Sequence, residues 1–274
     1  MTLWTRRELG FLAGLAAVRT LRGDEPALSV SGVDPLKVRV ASAGASAMFY
    51  YGLFGGDIVP LSNSTFPDSP QADEFFLKIG APPFPYLILS RIGSGESTGL
   101  DHFSLLAGDL LAARSTLARN GISLINPGQG LWFRDNGGTL IELMTGSTWG
   151  LQAQSMRLPV PSNLRSLRPA FETAALTRIH LRALESSASF YGQLFGRKKA
   201  AGDRSFTCGA TVLRLSPATE AQTPGLDRLV IAVRNFKPHQ ARRILQQRGI
   251  QLSGSRHEVL FRDPDGNELE LVAA

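Results

Sequence analysis

Two stretches of the chain share one pattern of apolar and polar positions. Lys37 to Gly55 reads KVRVASAGASAMFYYGLFG, and Arg178 to Gly196 reads RIHLRALESSASFYGQLFG. The first residues of each alternate apolar and polar, the period of a strand with one buried face. Small residues then lead to Phe-Tyr and Leu-Phe-Gly at helical spacing, and the glycine is a helix stop. The pattern therefore predicts strand–helix at both places. Further on, Gly99 to Leu105 (GLDHFSL) matches Gly225 to Ile231 (GLDRLVI). Each reads as a strand followed by a helix, Asp109 to Asn120 in one case and Lys237 to Arg248 in the other, and both helices stop before Gly-Ile. A third pair, FRDNGGTLIEL from Phe133 and FRDPDGNELEL from Phe261, places turn residues between two short apolar runs and predicts a hairpin. Alternation after each turn puts Leu140 with Glu142, and Glu268 with Glu270, on one strand face.

The repeat divides the chain into halves at 33–147 and 173–274, each with two strand–helix–strands modules. Residues 148–172, with Trp149 and Met156, read as a linker or strap, and residues 1–30 stand apart as a signal-like segment. The first half also carries an insertion from Ser62 to Pro85 with Phe66, Phe75, Phe76 and Phe84. It reads either as a lid or pocket wall, or as an edge strand pair with apolar packing.

Composition narrows the class. A 43% hydrophobic share and 19% charged residues describe a globular chain. The net charge is +6 and the pI about 9.9, but the basic residues are scattered. No basic stripe with interleaved aromatics is present, which argues against nucleic acid as a partner. One cysteine, Cys208, excludes an internal disulfide and a cysteine-based zinc site. At the N-terminus, Arg6-Arg7 precedes the apolar run to Val18, which is too short to span a bilayer. This resembles a twin-arginine signal and predicts export, with a retained membrane tether or an amphipathic helix as alternatives.

Together the FY…LFG helix, the GLDH strand and FRDPDGNELEL resemble the vicinal oxygen chelate superfamily. That group includes glyoxalase I, bleomycin-resistance proteins, extradiol dioxygenases and methylmalonyl-CoA epimerase. The resemblance covers both halves. It implies an α+β fold of tandem domains, each of paired βαβββ modules wrapped into an open, cup-shaped sheet.

The resemblance also implies a site. Metal-binding members take a His from the first strand, a His from the start of the second module and a Glu from the final strand. Here His102 and Glu142 fit the last two places in the first half, and Pro35 falls at the first. In the second half the places hold Leu176, Arg228 and Glu270. The resemblance thus implies at most an incomplete site for one divalent metal (iron, manganese, nickel or zinc) on His102 and Glu142. The other readings are a polar pair in which His102 and Glu142 hydrogen-bond each other, and a metal-free acid–base pair. Arg228 is expected to face Glu270, and Arg39 and His180, at matched positions, are candidates for ligand binding. The expected function is an exported glyoxalase- or dioxygenase-like protein, monomer or homodimer, acting on a small oxygen-rich molecule. If an enzyme, it would be a metal-dependent lyase, isomerase or dioxygenase. The alternative is non-catalytic binding of the bleomycin-resistance kind.

Overall fold

The alternation at Lys37 becomes strand β1 (Val30–Val40), whose Leu36 and Val38 are buried on one face while Lys37 and Arg39 lie on the other. The computed structural model describes residues 27–62, 73–79, 86–125, 130–146, 156–195, 204–218 and 224–274. Residues 1–26 of the signal-like segment lie outside the described residues, as do Phe66, Phe84 and Trp149, while its last residues join the first half, with Leu28 buried and Val30 opening β1. After β1 come α1 (Ala43–Phe54), β2 (Asp57–Ser62), β3 (Glu74–Lys78) and β4 (Tyr86–Arg91), then β5 (Gly99–Ala107), α2 (Leu110–Arg119), β6 (Leu131–Arg134) and β7 (Leu140–Met144). The second half runs β9 (Thr173–Ala183), α4 (Glu185–Phe195), β10 (Ser205–Cys208), β11 (Thr211–Pro217), β12 (Gly225–Val233), α5 (Pro238–Gln247), β13 (Leu252–Ser253), β14 (Val259–Arg262) and β15 (Glu268–Ala273). Between the halves, β8 (Met156–Arg157) adds to the edge of the first sheet, and α3 (Ser162–Arg165) buries Leu164.

Each half forms one sheet. The orders are β6-β7-β5-β1-β4-β3-β2-β8 and β10-β11-β9-β12-β15-β14-β13. The two modules of a half meet at its centre through the antiparallel pairs β1–β5 and β9–β12. This is the predicted tandem architecture. The insertion supplies β3, which carries Phe75 and Phe76 between β2 and β4, so those residues belong to the sheet. Helices α2 and α5 stop where glycine permits it, at Gly121 (φ 71°) and Gly249 (φ 74°). The Asp109 side chain starts α2 by accepting from the amides of Leu111 and Ala112 at 2.8 and 3.0 Å.

The halves dock reciprocally, and this accounts for the repeated acidic turns. The turn between β14 and β15 sits on the start of α1 of the other half. There Asp265 accepts from the Ala41 amide at 2.7 Å and the Ser46 hydroxyl at 2.8 Å. The buried Tyr50 hydroxyl donates to Asp263 Oδ2 at 2.8 Å. In the mirrored contact, Asn136 Nδ2 donates to the Ser186 carbonyl at 3.1 Å. Rings follow the same exchange, Phe49 with Phe261 and Phe133 with Phe190, each pair 6.2 Å apart. The mirror is imperfect. Burial first, then the Asp135 charge and the hydrogen-bonding approach of its carboxyl, raise the Tyr191 pKa. The contact is looser than the one between Tyr50 and Asp263, and among the described residues neither the Tyr191 hydroxyl nor Asp135 Oδ2 makes a well-formed hydrogen bond. Tyr50→Phe is therefore expected to cost about 1.5 kcal/mol in urea unfolding, and Tyr191→Phe to cost less. Equal losses would show that the two contacts are equivalent after all.

Candidate active site

Sheet register places the site residues. Across the first cup one row runs Leu140, His102, Lys37, Ile88, Phe76 and Val59, on β7, β5, β1, β4, β3 and β2. A neighbouring row holds Trp132, Glu142 and Ser104. The cup face is thus divided. The β7-β5-β1 side is polar, and Val59, Leu61, Phe76 and Ile88 form an apolar cluster on β2-β3-β4.

His102 and Glu142 share a face, and both are buried. The hydrogen bond expected between them is not made. Instead His102 Nδ1 bonds Asp101 Oδ2 at 2.7 Å, and the ring meets Trp132 edge-on with centroids 4.7 Å apart. Asp101 reaches its neighbour because it is the extra residue of a bulge. Lys37 pairs with His102 and Val38 with Leu100, which leaves Asp101 unpaired. Burial alone would raise the Asp101 pKa. The His102 hydrogen bond and the charges of His102, Lys37 and Arg39 outweigh it and hold the carboxyl below its usual range. The tautomer that donates Nδ1–H to Asp101 leaves Nε2 as a lone-pair nitrogen, and among the described residues Nε2 has no hydrogen-bond partner.

Glu142 accepts from Ser104 Oγ at 2.5 Å. A Cβ on Gly130 would stand 2.6 Å from Glu142 Oε1, so that glycine leaves the carboxylate its space. Burial raises the Glu142 pKa, only partly offset by Ser104 and by the His102 charge. Lys37 Nζ lies 2.7 Å from Glu74 Oε1, which also accepts from Ser90 at 2.9 Å. Sequence reasoning missed Asp101, Lys37, Ser104 and Trp132. The one available signal was the repeat itself, which places Asp101 and Asp227 immediately before His102 and Arg228.

These residues do not fit a resident metal of the kind the resemblance implies. Such sites take three protein ligands. The resemblance puts Pro35 at the first-strand place, but Pro35 pairs with nothing on β5, and among the described residues no group of three His, Cys, Asp or Glu side chains could hold an ion. The residue that pairs with His102 on β1 is Lys37, whose ammonium, held by Glu74, has no lone pair to offer a metal.

The second cup is charged differently. Arg228 bridges Glu268 at 2.6 Å and Glu270 at 3.0 Å, as its sequence position suggested for Glu270. His180 pairs with Arg228 across β9–β12. Arg39 and His180 are not equivalent. Arg39 pairs with Gly99 and ion-pairs with Asp101 at 3.7 Å, whereas Arg182 pairs with Gly225 and ion-pairs with Asp227 at 3.7 Å. The counterpart of Arg39 is therefore Arg182, and that of His180 is Lys37. The gapless alignment fails because the strand-to-helix connection is shorter in the second half, Ala183 to Phe195 against Val40 to Phe54. His239 and His257 are exposed.

No protein-family profile matches the chain, and no curated protein does. Solved structures do. Homoprotocatechuate 2,3-dioxygenase from Arthrobacter globiformis is similar at 15% identity and TM-score 0.59, over 91% of this chain and 81% of that one. The Brevibacterium fuscum enzyme in complex with 3,4-dihydroxyphenylacetate gives 14% identity and TM-score 0.58, over 90% and 81%. The 2,3-dioxygenase LapB from Pseudomonas sp. KL28 gives 14% and 0.56, over 90% of this chain and 94% of that one. At such identity the likeness is one of fold.

Proposed function

The chain has the tandem vicinal oxygen chelate fold found in extradiol dioxygenases, and from that premise we propose that its first cup takes a small, oxygen-rich molecule and moves a proton on it. The observation that carries this reading is the 2.7 Å contact between Asp101 and His102 Nδ1, which turns Nε2 into an oriented base. A ring or short chain would lie on Ile88, Phe76 and Val59, with its oxygens toward Lys37 and His102. His102 Nε2 takes a proton from a carbon next to a carbonyl, which leaves an enolate. Glu142, kept protonated to higher pH by its burial, returns one. The net reaction is an isomerisation or an exchange of that proton. The dioxygenase neighbours support the fold and the small-molecule ligand class, and the donor set of this cup favours proton transfer over a metal-bound route.

The test is deuterium incorporation from heavy water into hydroxyketones and 2-oxoaldehydes, followed by NMR, beside calorimetric binding of catechols and diols. His102→Ala is expected to lower exchange about 100-fold while ligand still binds. Asp101→Asn is expected to lower it about tenfold. Because Glu142 acts as an acid, the rate falls as pH rises through its raised pKa, and Glu142→Gln removes that limb. Both proteins would also be incubated with iron, manganese, nickel and zinc. Stoichiometric metal held by the wild type and lost in His102→Ala would sink the metal-free reading. Binding with no exchange of any substrate would favour sequestration, for which the apolar patch of Val59, Phe76 and Ile88 is suited.

A further inference from the structure

The repeat allows the two cups to be compared position by position. The first-cup row Leu140, His102, Lys37, Ile88, Phe76 corresponds in the second to Glu268, Arg228, His180, Arg214, Ser205, on β15, β12, β9, β11 and β10. Where the first cup offers Ile88 to a ligand, the second offers Arg214. Arg178 is on the same face, two residues before His180 on β9.

The charges of this face do not close on themselves. Glu268 and Glu270 are taken by Arg228, and Asp227 by Arg182. Arg178 and Arg214 have no hydrogen-bond or ion-pair partner among the described residues, so positive charge is left over. Between them His180 is only 8% exposed, and its Nε2 is buried with no hydrogen-bond partner among the described residues. Burial lowers its pKa, as do the charges of Arg228, Arg214 and Arg178, against a smaller opposing effect of Glu270. An imidazole nitrogen left unsatisfied in a protein interior costs free energy, and native structures seldom tolerate it without a partner. Two unpaired guanidiniums beside it define the missing partner as an oxygen acceptor with negative charge.

We propose that the second cup binds a small oxyanion, a carboxylate or phosphate group, held by Arg178, Arg214 and the His180 Nε2–H. The proposal does not rest on the reading of the first cup. It also gives the duplication a chemical meaning: one cup handles an amphipathic organic molecule, and the other an anionic group.

The experiment uses the full chain, titrated separately with inorganic phosphate and with acetate, at ionic strength held constant with chloride. Calorimetry and thermal unfolding are read together. Saturable binding with a concentration-dependent rise in Tm is expected for at least one anion. Which of the two responds identifies the group. Arg214→Gln is the first variant, because Arg214 is exposed and its loss leaves no buried partner behind. It and Arg178→Gln are each expected to weaken binding about tenfold, the loss of a charge-assisted hydrogen bond. His102→Ala leaves the affinity unchanged. No saturable response beyond chloride overturns the proposal. So does binding that survives both arginine substitutions, since the anion would then sit elsewhere.

Discussion

Gly56→Ala is expected to destabilise the protein by about 4 kcal/mol, through backbone strain and an unavoidable clash together. Gly56 joins α1 to β2 with φ 103°, a region that residues with a side chain rarely adopt. An added Cβ would stand 1.9 Å from the Lys78 carbonyl oxygen and 2.9 Å from its carbon. That carbonyl belongs to the β2–β3 ladder, where Asp57 pairs with Lys78. Relief would have to come from backbone already committed to the sheet. The same two strands carry Val59, Leu61 and Phe76, so the variant should lose the apolar wall of the first cup along with stability. Gly95→Ala is the control. Its φ is 84°, but a Cβ there meets nothing within 4 Å, so about 1 kcal/mol is expected. Urea unfolding of both variants separates conformational strain from close approach. Equal losses would mean that the contact with Lys78 relaxes freely.

Asp263→Ala is expected to cost about 4 kcal/mol, because one buried carboxylate serves four donors. Oδ2 accepts from the Tyr50 hydroxyl at 2.8 Å and Asn267 Nδ2 at 2.9 Å. Oδ1 accepts from the amides of Asp265 at 3.0 Å and Asn267 at 2.8 Å. Burial raises the Asp263 pKa, and the bonds from Asn267 and Tyr50 pull it back in part. Truncation would strand the Tyr50 hydroxyl, which is fully buried, and loosen the turn that carries Asp265 onto α1. The damage is therefore to the joint between the halves as well as to a hairpin. Asp135→Ala should cost less. Among the described residues its Oδ1 serves the amides of Gly137 and Thr139, at 2.9 and 2.8 Å, and its contact with Tyr191 is the looser of the two. Denaturant unfolding of the two variants under one set of conditions checks the ranking. Indistinguishable values would show that the bond across the halves contributes little.

The sequence by itself determined the repeat, the strand–helix units, the hairpins and the helix stops. Each of these is a local property. Period-two alternation, helical spacing and glycine at a left-handed stop act over a few neighbouring residues and need no knowledge of the rest of the chain. What only the tertiary structure decided depends on register between distant segments. Plain alternation would set Asp101 on the face opposite His102. The bulge opposite Lys37 and Val38 puts the two together, and closure of β1 on β5 fixes that bulge. The same closure brings Lys37 beside His102, and the pairing of β6 with β7 sets Trp132 against Glu142. The match of Arg39 with Arg182 follows from a connection whose length differs between the halves, which a gapless comparison cannot see. The acidic turns were legible as turns, yet their reach onto the other half's helix, Asp263 to Tyr50 and Asp265 to Ser46, was not. Contacts so far apart in sequence leave no periodicity behind, because they are chosen by how two whole sheets pack.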